Sequence, residues 1–121
     1  MDLRVEIELR DGLLFATASG TLAFDAALRL LKQVFETAAE KQVKGILVNG
    51  LAMNGTLSIL QRYRIAVKGV EYLRERRINQ KLAIVGTPPT LNGFGVTVAR
   101  NRGLETKFFS SQQEAINWLN G

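Results

Sequence analysis

Thr56 and Ser58 are hydroxyl side chains two residues apart in the stretch VNGLAMNGTLSIL, residues 48–60. A short apolar run, Gly45–Val48, precedes them, and an amphipathic pattern follows. That places both hydroxyls at the mouth of an expected helix, where unpaired N–H groups and the positive end of the helix dipole face outward. Such a mouth suits an anion, including a phosphate carried by Thr56 or Ser58. Asn49, Asn54 and Gly55 complete the loop as candidate anion-binding positions, because ligands of open α/β sheets bind beyond the carboxyl ends of the strands. A plainer use competes. Asn54-Gly55 makes a turn, and Asn54 or Thr56 caps the helix. The stretch reads as a helix-capping turn at the natural position for a site.

Other chemistry is narrowed by composition. The 121 residues contain no histidine and no cysteine. Histidine is the usual general base near neutral pH and the commonest metal ligand. Within these residues the familiar zinc sites, Ser-His and Cys-His nucleophile pairs and disulfides are therefore excluded. No Walker sequence, pair of catalytic carboxylates or metal-ligand cluster is evident. Gly93 and Gly95 in LNGFGVTV match half of a dinucleotide fingerprint, but Val98 stands where the third glycine belongs. Those glycines are expected to serve tight turns. Neither enzyme activity nor a cofactor or metal is expected.

The formal net charge is +5, and it is local. Residues 62–81 hold seven bases and two acids, while the rest of the chain is balanced. On a helical wheel for residues 56–76, Ile59, Leu60, Tyr63, Ala66, Val67, Val70 and Leu73 make the expected core stripe. Gln61, Arg64, Lys68, Glu71 and Glu75 are expected to face water. A third strip carries Ser58, Ile65, Gly69 and Tyr72, flanked by Arg62 and Arg76. Two apolar residues beside a glycine suggest a contact surface for a protein partner or a second copy of the chain. Nucleic acid is a poor fit. Arg64 and Lys68 share their face with Glu71 and Glu75, and bases in the last turn complement the helix dipole. No nucleic-acid motif accompanies them.

The elements that must position these residues are legible. Leu3–Arg10 alternates apolar and charged residues, as a half-buried strand does. Asp11-Gly12 is a hairpin signal, and Leu13–Ser19 is the returning strand, with small Ala16 and Ala18 leaving room for a helix. Residues 23–41 form an amphipathic helix. Gly45–Val48 is a central strand, 56–76 a second helix and Lys81–Val85 a third parallel-type strand, stopped by TPPTLNG. A short helix spans Phe94–Arg102, and Thr106–Phe109 is the last strand. Ser111-Gln112-Gln113-Glu114 matches a capping box before a final helix that turns Ala115, Trp118 and Leu119 inward. The order ββαβαβαβα implies one α/β domain over residues 1–121, with a mixed, mostly parallel five-stranded sheet. No apolar run approaches the ~18 residues of a membrane span. The alternating N-terminus is unlike a signal peptide, so a cytoplasmic location is expected.

This order, with the hairpin RVEIELRDGLLFATASG, the strand-loop-helix KGILVNGLAMNGTLSIL, the strand KLAIVG and the ending FFSSQQEAINWL, resembles the STAS domain. It is more closely similar to small stand-alone SpoIIAA-like bacterial proteins. The resemblance implies a non-enzymatic regulatory module that binds a protein partner. STAS antagonists carry an acid at the end of the third strand and an Asp-Ser pair at the next helix, whose serine is phosphorylated. Here Asn49 and Asn54-Gly55-Thr56-Leu57-Ser58 occupy those places, so Thr56 is the nearest positional candidate and Ser58 the second. The fold class is also similar to lipid-transfer domains, which implies a small apolar ligand as an alternative. A third alternative is an anionic partner bound through Arg62–Lys81.

Overall fold

Asp11 and Gly12 both hold positive φ, 52° and 81°, the conformation a two-residue hairpin turn requires. In the computed structural model, which describes residues 2–121, this turn joins β1 (Arg4–Arg10) antiparallel to β2 (Leu13–Thr21). On β1, Val5 and Ile7 lean on the core while Arg4, Glu6 and Glu8 face solvent. Charges along this edge strand discourage pairing with another chain. The chain continues through α1 (Phe24–Lys41), β3 (Gly45–Asn54), α2 (Ile59–Glu75), β4 (Lys81–Val85), α3 (Phe94–Asn101), β5 (Thr106–Phe109) and α4 (Gln112–Asn120). The strands lie in the order β1-β2-β3-β4-β5, and β2 to β5 run parallel. The expected mixed, mostly parallel five-stranded sheet is therefore present.

The helices divide unequally between the faces. α1 packs on α2 and α2 on α3, and these three cover one face. Ala16 and Ala18 of β2 are fully buried there, against a cluster containing Leu30, Val34 and Phe35 of α1. The opposite face carries Leu13, Phe15, Leu47, Ala83, Val85 and Phe109, covered by α4 through Ala115, with Trp118 and Leu119 half-buried. One nine-residue helix cannot cover five strands, so cations shield the remaining rings. The Arg10 guanidinium lies 4.3 Å from the Phe15 centroid, and Lys107 Nζ lies 5.5 Å from that of Phe109. No described helix is long and apolar enough to cross a membrane.

Two boundaries differ from the sequence expectation in ways that reshape the site. β3 does not stop at Val48 but runs on to Asn54. β2 lengthens with it, and after an irregularity between Thr17 and Ser19 the two strands pair as Ser19–Ala52, Gly20–Met53 and Thr21–Asn54. The Thr21 hydroxyl donates to Asn54 Oδ1 at 3.0 Å, and the Leu22 N–H donates to the Asn54 carbonyl at 2.9 Å. Asn49 and Asn54 are consequently strand residues rather than loop residues. The second difference is the start of α2, at Ile59 rather than Thr56. Its cap is neither Asn54 nor Thr56. Ser58 Oγ accepts from the Gln61 N–H at 3.1 Å, and Gln61 Oε1 accepts from the Ser58 N–H at 3.0 Å. This is a reciprocal capping box. At α4, Ser111 accepts from the Glu114 N–H at 3.4 Å, the serine half of the expected box.

Candidate functional site

At the carboxyl end of the sheet, the turn after β4 folds back over the ends of β3 and β4. A Cβ at either Gly50 or Gly86 would collide with the Leu91 side chain, so two glycines let this turn seat Leu91 directly on the strand ends. Arg62, on the first turn of α2, fixes the turn from the other side. Its Nη1 donates to the Thr90 carbonyl at 2.9 Å and its Nη2 to the Pro89 carbonyl at 2.7 Å. The same guanidinium donates through Nε to the Leu57 carbonyl at 3.1 Å and through Nη2 to Thr56 Oγ1 at 2.9 Å. Four of its five N–H groups are thus directed to oxygens of two backbone segments. Among the described residues no carboxylate comes within 4.0 Å of it.

Behind Arg62 lies an apolar cavity of about 160 Å³ between the sheet and the layer of α1, α2 and α3. Leu31 and Phe35 of α1, Ala66 and Val70 of α2, Ile84 of β4 and Val96 of α3 are among the side chains that line it. Gly93 caps α3 beside it with φ 82°, and a Cβ there would stand 3.3 Å from Phe108. Gly93 thus serves a turn, as expected from the incomplete fingerprint, whereas Gly95 lies inside α3.

Arg64, Lys68, Glu71 and Glu75 of α2 face outward as expected, but the N-terminal part of the expected core stripe is exposed as well. Ile59 is 72% exposed, Leu60 56% and Tyr63 41%. The strip expected to face a partner instead turns in. Gly69 is buried beside Leu31 and Phe35, and Ile65 lines the cavity. Tyr72 packs on the main core, and Arg76, only half-buried, lies over its ring and donates to Glu36 Oε1 at 2.9 Å. Arg62, Ile65, Gly69, Tyr72 and Arg76 therefore do not form a free outer surface. The correction has a physical source. Val70 and Leu73, on the same stripe as Ile59 and Tyr63, are buried, so the stripe is covered along its C-terminal half and its first turns are left exposed.

Thr56 and Arg62 are brought together, and Thr56 is exposed, with its hydroxyl also 3.4 Å from the Pro89 carbonyl. Ser58 is exposed but committed to its cap. Asn49 is half-buried and turned elsewhere: its Nδ2 donates to Gln112 Oε1 of α4 at 2.6 Å, and its Oδ1 accepts from the Leu51 N–H at 2.9 Å. Asn54 is held by Thr21, and Gly55, with φ 88°, turns the chain out of β3. The basic segment is largely engaged within the chain. Besides Arg62 and Arg76, Lys68 meets Glu71, Arg74 donates to the Arg102 carbonyl, and Lys81 donates to the Trp118 carbonyl.

Comparison with solved structures extends over nearly the whole chain. An anti-sigma factor antagonist from Mycobacterium paratuberculosis superposes with a TM-score of 0.67 at 11% identity, covering 99% of this chain and 96% of that one. An uncharacterised DUF3478-family protein with a SpoIIAA-like fold, from Shewanella loihica, superposes with a TM-score of 0.59 at 21% identity, covering 98% and 94%. The chain has a SpoIIAA-like, STAS-type fold. No protein-family model and no curated protein matches the sequence. Within this STAS-type frame, Thr56 lies between β3 and the cap of α2, and Ile59, Leu60 and Tyr63 extend outward from the same end.

The exposed trio was missed because helical spacing puts Ile59 and Tyr63 on the same stripe as buried Val70 and Leu73. The turn at residues 87–92 was read only as a strand stop, and nothing in its composition marks it as the partner of Arg62.

Proposed function

We propose that the protein is a non-enzymatic regulatory module that binds a protein partner through the N-terminal end of α2. The observation that carries this reading is the exposed cluster of Ile59, Leu60 and Tyr63. Single exposed apolar residues are ordinary, but adjacent large ones on one element mark contact surfaces. Tyr63 is held in place, its hydroxyl accepting from Arg102 Nη2 at 2.8 Å. An ordered aromatic ring offers contact area at low entropic cost. The fold supports the reading as well, since one structural neighbour is by name an anti-sigma factor antagonist.

Thr56 is the candidate switch of this surface. A phosphate there would stand beside Arg62 and accept charge-assisted hydrogen bonds from it. It would also add negative charge one turn from Ile59 and Leu60, altering the face offered to a partner. Ser58 is a weaker candidate, because a phosphate on it would dismantle the cap of α2.

A photo-crosslinking residue placed at Leu60 tests the surface in the cell of origin, with the same residue at Leu9, exposed on the edge strand, as control. The expected result is a discrete protein adduct from position 60 that disappears when Ile59→Glu is added. Equal labelling from positions 60 and 9, or an adduct indifferent to Ile59→Glu, would overturn the proposal.

A further inference from the structure

The cavity beneath α1, α2 and α3 is unusual in being both apolar and bordered by an arginine without an acid. Its volume of about 160 Å³ is close to that of an engineered apolar cavity of roughly 150 Å³ that stays dry and admits benzene or xenon. Water gains little in such a place, since it needs two to four polar partners. Close packing is the norm in protein interiors, and an apolar space of this size, open on one side, leaves part of its lining without dispersion contacts. A molecule with an apolar body of about six carbons would recover them.

The head of such a molecule is suggested by Arg62, which lines the same cavity. Three carbonyls and one hydroxyl take four of its N–H groups. One Nη1 N–H remains, and the positive charge has no carboxylate within 4.0 Å among the described residues. Half-buried charges of this kind are stabilised by an opposite charge that also accepts a hydrogen bond. Binding pockets commonly combine an apolar lining with one or two polar groups that orient the ligand.

We infer that the cavity binds a short-chain carboxylic acid, its chain among Ala66, Val70, Ile84 and Val96 and its carboxylate against Arg62. The site is separate from the exposed Ile59–Leu60–Tyr63 cluster, so either function can exist without the other.

Methyl-labelled protein titrated with hexanoate, hexylamine and benzene tests this inference. Saturable shifts with hexanoate are expected in Ile65, Val70, Ile84 and Val96, with Leu13, Leu47 and Val85 on the opposite face unmoved. Hexylamine should bind more weakly by about tenfold or more, a difference of roughly 1.4 kcal/mol. Ala66→Leu, which fills the cavity, should abolish the hexanoate shifts while keeping the fold. If that variant does not fold, the face-selective shift pattern of the unmodified protein decides alone. Absence of saturable hexanoate shifts would overturn the site. Benzene or hexylamine binding as well as hexanoate would overturn the carboxylate assignment to Arg62.

Discussion

The Arg62 guanidinium lies 2.9 Å from the Thr56 hydroxyl and reaches across to the Pro89 and Thr90 carbonyls. One side chain on α2 therefore joins the entry of its own helix to the turn beyond β4. Thr56 and Pro89 in these two segments are 33 residues apart in sequence, and both segments border the end of the sheet where open α/β folds bind ligands. A lysine could not do this, since it lacks the planar fork that addresses several acceptors in fixed directions.

Arg62→Ala should accordingly lower the stability of the whole domain by about 2–3 kcal/mol, since hydrogen bonds from a charged donor are worth roughly 1.5–3 kcal/mol each and are not additive. Arg62→Lys should recover less than half of that loss. Urea unfolding gives the magnitude, and hydrogen exchange gives the location. The Leu91 amide, bonded to the Thr87 carbonyl at 3.0 Å, should exchange faster in both variants. Unchanged exchange there would show that the turn stands without Arg62.

The uneven burial along α2 is open to a simple comparison. Leu73 is 1% exposed and Leu60 is 56% exposed. Leu73→Ala should cost about 2–5 kcal/mol, through lost transfer energy and the void left behind. Leu60→Ala should stay within about 0.5 kcal/mol of the parent, as surface substitutions do. Paired denaturation curves decide the matter, and similar losses at the two positions would contradict the orientation described.

That comparison shows where sequence reasoning reached its limit. Period-two alternation in β1, the Asp11-Gly12 turn and the apolar runs of β3 and β4 each express a local rule, and the sheet follows from their order. How far along α2 its apolar stripe is covered obeys no local rule. Ile59 and Tyr63 share a stripe with buried Val70 and Leu73, and helical spacing cannot say that the stripe is covered at one end and exposed at the other. The extension of β3 was hidden for a similar reason. Asn49-Gly50 has the composition of a turn, yet pairing with the lengthened β2 carries the strand through it. Thr56 emerges exposed, whereas Arg62, expected to flank a contact strip, instead ties the turn after β4 to the entry of α2.

Cap chemistry yields a third expectation. Ser58→Ala removes one acceptor of a reciprocal capping box and should cost about 1 kcal/mol. Thr56→Ala leaves the cap intact and loses one exposed contact with Arg62, so its cost should be smaller. Thermal unfolding of both variants ranks them. A larger loss at Thr56 would return the cap to the position that spacing alone had suggested.

Gly69 supplies the last and least intuitive test. A glycine in the middle of a helix is destabilising by roughly 0.5–1 kcal/mol relative to alanine. At this position φ is ordinary, and an added Cβ would lie 3.6 Å from Leu31 Cδ1 and 3.9 Å from a Phe35 ring carbon, which is normal contact. The new methyl group would enter the apolar space between α1 and α2 rather than collide with backbone. Gly69→Ala should therefore raise stability by about 0.5–1 kcal/mol, the helix propensity gained with no steric loss. Calorimetry should register this as a higher Tm with the fold unchanged. A lowered Tm would mean that α1 and α2 approach more closely than these distances allow, and that the glycine is required for contact between their backbones.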